Sequence, residues 1–249
     1  MQVTFGKRNE GDMGKVNTVF KRYEKKYLLT ASQYWMFREL VDEYMQVDEY
    51  GESTICNIYY DTPNYDLIRA SIEKPVYKEK LRLRSYGIPG PDDLVFLEMK
   101  KKYKGIVYKR RIVLPLEEAR QSLQQGAVDE EKGQVAKEIN YFLKRYPLIP
   151  RVYLAYDRIA MFGVEDSDLR MTFDFKIRSR EDKLDLAMGD TGKLLFREGE
   201  VILEVKVKDV YPMWLIQGLE KLSIYPRSFS KYGSVYKGTL LSNYAEHML

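Results

Sequence analysis

Five short segments of this chain alternate with a period of two, and four of them set apolar residues against a face crowded with lysine and arginine. Successive side chains of a strand point to opposite faces of its sheet, so this period assigns each residue to a face. Over Tyr77 to Ser85, Tyr77, Leu81 and Leu83 oppose Lys78, Lys80, Arg82 and Arg84. Val95, Leu97 and Met99 oppose Phe96, Glu98, Lys100 and Lys102, and Met171, Phe173, Phe175 and Ile177 oppose Arg170, Thr172, Asp174, Lys176 and Arg178. Val201, Leu203, Val205 and Val207 oppose Ile202, Glu204, Lys206 and Lys208. The opening segment groups Arg22, Glu24 and Lys26, while its other face mixes Tyr23 and Tyr27 with Lys21 and Lys25. Any one of these strands is explained by a solvated sheet face. The repetition is not, because like charges facing each other on neighbouring strands destabilise a sheet. A bound polyanion with its metal ion would relieve that repulsion. If such strands curl with the charged face inward, they enclose a cationic tunnel and leave an apolar outer face for helices to cover.

Helical signals are fewer. Thr30-Ala-Ser-Gln33 has the form of a capping box ahead of a helix reaching about Met45, with Phe37, Leu40, Val41 and Tyr44 spaced by three and four. Pro115 precedes a second helix that has Glu117 and Glu118 in its first turn and ends near Gly126. A third is predicted from about Glu130 to Arg145, a fourth from Pro212 to Pro226, and a short one from about Ser234. Residues 1–18 carry no periodicity and read as a mobile tail, and residues 19–249 as a single domain.

Composition narrows the chemistry. The one histidine, His247, lies two residues from the end of the sequence, so His-based general-base catalysis and His-rich zinc sites are not expected. A single cysteine, Cys56, forms no internal disulfide and reads as an ordinary strand residue. No run of 18 apolar residues suggests a membrane span, and a cytoplasmic location is the expectation. The balance of 41 Lys and Arg against 37 Asp and Glu is too even to imply a nucleic-acid partner. An RNA-binding sheet would also display aromatics beside its cations, whereas Tyr77 lies opposite Lys78 to Arg84. Phosphate chains suit the charged faces: Arg presents a planar fork to phosphate oxygens and Lys a compact ammonium. Mn²⁺ or Mg²⁺ takes one or two protein carboxylates plus phosphate oxygens and water, so isolated Glu24, Glu98, Asp174 and Glu204 suit a metal-triphosphate site. Gly189-Asp-Thr-Gly-Lys193 lacks the spacing of a phosphate-binding loop and reads as a hairpin turn, and Lys100 to Lys104 reads as a strand end.

Arg22-Tyr-Glu-Lys-Lys26 resembles the Glu-x-Glu-x-Lys signature of the triphosphate tunnel metalloenzymes. Tyr59-Tyr-Asp-Thr-Pro63, Lys80-Leu-Arg-Leu-Arg-Ser-Tyr-Gly87, Phe96-Leu-Glu-Met-Lys100, Lys109-Arg-Arg111, Tyr156-Asp-Arg158, Leu203-Glu-Val-Lys206 and Ser230-Lys-Tyr232 resemble, in that order, the catalytic domain of the vacuolar transporter chaperone polyphosphate polymerases. The resemblance implies an α+β fold, an eight-stranded antiparallel β-barrel tunnel with helices packed on its outer face. It implies transfer of the γ-phosphate of ATP onto a growing inorganic polyphosphate chain, with Mn²⁺ or Mg²⁺ as cofactor and phosphate or pyrophosphate among its ligands. By the same resemblance Lys26, Arg82, Arg84, Lys100, Lys109, Arg158 and Lys231 would hold the triphosphate and product phosphates. Lys80, Lys102, Arg111, Arg170 and Lys206 are further substrate-binding candidates, and Glu204, Glu98 and Glu24 are metal candidates, Glu204 foremost. Lys102 stands where the eukaryotic enzymes resemble His, and this sequence shows neither the membrane segment nor the inositol-phosphate-binding domain that those members carry. Two other functions fit the same residues: a tripolyphosphatase or nucleoside triphosphatase of this fold, and a non-enzymatic polyphosphate or nucleotide binder.

Overall fold

A computed structural model describes residues 23–104 and 106–240. Its strands are β1 (Tyr23–Leu29), β2 (Met45–Asp61), β3 (Tyr77–Tyr86), β4 (Leu94–Tyr103), β5 (Ile106–Pro115), β6 (Ile149–Gly163), β7 (Arg170–Arg180), β8 (Lys193–Leu194) and β9 (Val201–Val207). They form one antiparallel sheet in the order β1-β9-β7-β6-β2-β3-β4-β5, with the two-residue β8 paired to β7 off this path. The expected eight-strand path is present, but it does not close into a barrel: among the described residues β1 and β5 make no ladder with each other. The outer edge of β1 is already occupied, since Pro226 bridges Tyr27 and the Arg227 N–H donates to the Lys26 carbonyl at 2.7 Å. A proline at that edge cannot extend the ladder.

The outer face carries two apolar clusters, each covered by a pair of helices. Cys56, Ile58, Leu81, Leu83, Val95, Leu97 and Met99 pack under α3 (Leu116–Gln125) and α4 (Gln134–Arg145). Tyr27, Leu29, Met171, Phe173, Leu203 and Val205 pack under α1 (Ala31–Val41) and α5 (Met213–Lys221). The capping box at Thr30 and Gln33 forms, and Gly126 ends α3 with a φ of 71°, a conformation glycine adopts freely. Helix α1 stops at Val41, short of Met45, which opens β2. The third predicted helix is broken into a 3₁₀ turn (Glu130–Lys132) and α4, because Gly133 takes a φ of 95° between them. The loop holding Gly189 to Lys193 turns its carbonyls back onto β7: Arg178 donates to the Asp190 carbonyl and Arg180 to those of Gly189 and Thr191. These bonds tie the connection between β7 and β8 to two β7 arginines.

Two features depart from simple alternation. A bulge sets Lys176 and Ile177 against Tyr156 alone, with Lys176 at a φ of 43°. Beyond it the faces of β7 exchange, so that Ile177 packs on the inner side while Arg178 pairs with Asp157 on the outer side. The face assignment of Arg178 made from alternation is thereby corrected. The inner face is also not charged throughout. Ile55, Tyr59, Val152, Leu154, Ile177 and Ile202 form a third apolar cluster beneath α2 (Asp66–Ile72) and α6 (Lys231–Val235), which stopper that part of the concave face. The sequence reading contained no α2, and it started the last helix three residues late.

Asp61 ties these helices to the sheet. Fully buried, it accepts hydrogen bonds from the Thr62, Leu67 and Ile68 N–H groups and from the Tyr232 hydroxyl. The Tyr59 and Tyr232 rings stack 4.8 Å apart beside it. Two of the sequence motifs, Tyr59 to Pro63 and Ser230 to Tyr232, therefore meet in space. Replacing Asp61 with Ala orphans four buried donors and is expected to cost about 3 kcal/mol of unfolding free energy, read as a lower urea midpoint with an unchanged m-value.

Candidate active site

The inner face gathers its charge around three carboxylate centres. On neighbouring β1 and β9, the Lys26 ammonium lies 2.9 Å from Glu24 and 3.5 Å from Glu204, and Lys206 lies 2.5 Å from the other Glu204 oxygen. Lys100 on β4 comes from the other end of the strand order, yet it acts electrostatically on both carboxylates and on Lys26. The open sheet is thus curled enough to bring its two flanks to one charge cluster. Burial works against the ionised Glu204 carboxyl, but Lys206 and Lys26 outweigh it and hold the group well below the ordinary range.

The second centre is Glu98, buried on β4. Arg82 reaches one of its oxygens at 2.6 and 2.8 Å through two nitrogens, Lys109 the other at 2.6 Å, and Arg84 approaches at 3.7 Å. Burial opposes its charge, and Arg82, Arg84 and Lys109 overcome that to set its pKa at about 2. Arg84 also donates to Asn57 Oδ1 at 2.9 Å and to the Tyr156 hydroxyl at 3.2 Å, and Arg82 donates to the Tyr59 hydroxyl at 3.2 Å. The third centre is Asp174, fully buried on β7, which takes both arms of the Arg158 fork at 2.6 and 2.9 Å and the Lys231 ammonium at 2.5 Å. Lys231 reaches it because Ser230 caps α6 from outside the sheet. Lys80 donates to Ser230 Oγ at 3.1 Å, which joins β3 to the same helix start.

The structure thus assembles Lys26, Lys80, Arg82, Arg84, Lys100, Lys109, Arg158, Lys206 and Lys231 from β1, β3, β4, β5, β6, β9 and α6 on one concave surface. Three other candidates lie at its margins. Lys102 is exposed near Lys78, Arg111 is exposed over the Phe96 ring at 5.1 Å, and Arg170 is exposed over the Phe162 ring at 5.6 Å. Among the described residues no three His, Cys, Asp or Glu side chains cluster as metal ligands. Glu98 is engaged on both oxygens by arginine and lysine, and Glu24 and Glu204 are paired with Lys26 and Lys206; the last two carboxylates lie on adjacent strands, and as hard oxygen donors they fit a metal that draws its remaining ligands from phosphate and water. Tyr59 and Tyr156 stand in the sequence motifs without an assigned role, and Asn57 is not among the sequence candidates. Tyr156 lies two residues from Arg158, and that spacing on one strand was the available signal. Burial opposes ionisation of Tyr156, but Arg84, Arg158 and Lys231 draw its pKa down to about 8.

Asp174 is the counterion on which Arg158 and Lys231 depend. Asp174→Asn leaves two buried cations facing each other and is expected to destabilise the free protein by about 3 kcal/mol. Added inorganic tripolyphosphate should recover more of the lost melting temperature in this variant than it adds to the wild type, which differential scanning fluorimetry would show.

Comparison with known proteins bears on this arrangement. The VTC domain family matches residues 21–239. A search of curated proteins gives no match. Among solved structures, a putative adenylyl cyclase from Hippeastrum, described as revealing a dominant triphosphatase activity, is similar at 15% identity and a TM-score of 0.50, covering 86% of this chain and 94% of its own. A putative adenylate cyclase from Bacillus halodurans is similar at 15% identity and a TM-score of 0.49, covering 83% and 92%. At these identities the likeness concerns the fold. The family match takes in every described strand, and helices α2 and α6 with them: the chain belongs to the VTC domain family.

Proposed function

We propose that this protein transfers the γ-phosphate of ATP onto an inorganic polyphosphate chain held on its concave face. The supporting observation is charge imbalance: nine converging cations, from Lys26 to Lys231, stand against four carboxylates, Glu24, Glu98, Asp174 and Glu204. A phosphate chain supplies the missing negative charge in a form that matches the Arg82, Arg84 and Arg158 forks. The carboxylates hold these groups in place before substrate arrives, so little reorganisation accompanies charge development in the transition state. Phosphoryl transfer asks the protein chiefly to align acceptor and leaving oxygens and to neutralise the transferred group. A terminal phosphate is already an anionic acceptor, so no histidine base is required. Glu24 and Glu204 are the residues that would hold Mn²⁺ or Mg²⁺, which supplies further neutralisation of phosphate charge when bound.

The stopper formed by α2 and α6 favours a second reading. Helices packed on the inner face take up part of the room a lengthening chain would need, and with water as acceptor the same groups would hydrolyse a triphosphate. Purified protein incubated with ATP and Mn²⁺, with and without a short polyphosphate primer, separates the two. A ladder of lengthening chains on a gel is the expected product, and orthophosphate alone would replace the polymerase with a triphosphatase. Arg82→Ala and Lys231→Ala should each lose about 100-fold in turnover while keeping the wild-type circular dichroism. Affinity should also depend on pH. Burial brings the Lys80 ammonium down to about 8, near Tyr156, so raising the pH through 8 removes a positive charge and adds a negative one to the same surface. The dissociation constant for tripolyphosphate, measured by calorimetry, should therefore rise above pH 8.

A further inference from the structure

The charged face changes character at one end. Beyond Arg84 on β3 the next inward residue is Tyr86, 54% exposed, and beyond Glu98 on β4 come Phe96 and then Leu94, 56% exposed. Across the ladder from Phe96 stands Val113, 45% exposed on β5. These residues share a face with Arg82, Arg84, Glu98 and Lys109, as the Arg84–Phe96, Arg82–Glu98 and Lys100–Lys109 register pairs require. A solvated, cation-rich surface has no structural need for large apolar side chains, and an exposed cluster of them is an informative departure. Tyr86 meets the Phe96 ring edge-on at 5.6 Å, with an interplanar angle of 88°. The Arg111 guanidinium lies over the Phe96 ring although Glu98 is directly across from it, because Glu98 is already engaged by Arg82 and Lys109.

We infer that Tyr86, Phe96 and Arg111 form a stacking ledge for the base of a nucleoside triphosphate, an inference that rests on the phosphate-binding reading of the adjoining surface. Phe96 is two residues along β4 from Glu98 and four from Lys100, about 7 and 13 Å at the strand rise, so a molecule with phosphates on the cations places its other end here. That end is apolar and planar to match an aromatic ring and a guanidinium plane, which excludes a plain inorganic chain as the ligand of this part. The ledge consists of two aromatic rings and one guanidinium, so it distinguishes large bases from small ones by stacking and treats adenine and guanine alike.

The test is a set of dissociation constants for ATP, GTP, CTP and inorganic tripolyphosphate in the wild type, Phe96→Leu and Phe96→Trp, each checked for a native circular dichroism spectrum. Phe96→Leu should weaken ATP and GTP by about tenfold and CTP less, while leaving tripolyphosphate within about twofold. Phe96→Trp keeps a larger ring and should bind ATP at least as tightly as the wild type. Equal weakening of ATP and tripolyphosphate, or no weakening of either, would overturn the ledge and leave the phosphate surface intact. A wild type that binds neither ligand would overturn the phosphate reading, and the ledge with it.

Discussion

Mutual repulsion among cations on one sheet face is the constraint around which this structure is organised. Arg82, Arg84 and Lys109 crowd one buried carboxylate, and Arg158 with Lys231 crowd another. Each carboxylate is a shared counterion, and Arg82, Arg84 and Lys80 are also tied to a hydroxyl, an amide or a helix start. Tyr59, Tyr156, Asn57 and Ser230 fill that second role. The strands themselves are held from the other side, where two apolar clusters and four helices supply the burial that a charged inner face cannot. Stability and anion affinity are thereby divided between the two faces of one sheet.

Much of this was legible in the sequence because a period of two leaves little freedom. Once Leu81 and Leu83 are buried, Arg82 and Arg84 must share the opposite face, and the same holds for Glu98 between Leu97 and Met99. Side-chain pairings were not legible, since they depend on register between strands far apart in the chain. Asp174, Glu98 and Glu204 look like isolated acids in the sequence, and only the folded arrangement shows that each serves as a counterion. Arg178 was misplaced for a local reason: the bulge at Lys176 inserts one residue and reverses every later face assignment on β7. Helix α2 was missed because its start is capped from a distance, by Asp61 accepting from Leu67 and Ile68, with no apolar period long enough to mark it. The family motifs were correctly located as residues, but Tyr59 to Pro63 and Ser230 to Tyr232 prove to be largely one structural joint.

Alternation says which face is charged and cannot say whether the end strands meet. Here Pro226 and Arg227 occupy the edge of β1, so the sheet curls without sealing, and the flanks communicate through Lys100 and Glu24 across space rather than through hydrogen bonds.

The joint between Asp61 and Tyr232 spans 171 positions of sequence. Loop closure over such a distance comes late in folding and slows it, because the ordering entropy must be met before the contact repays it. During synthesis the first hairpins emerge with Lys80, Arg82 and Arg84 on an uncovered face long before α6 exists to carry Lys231 to Asp174. The charge centre at Asp174 is therefore the last of the three to be completed, since that helix delivers one of its two cations.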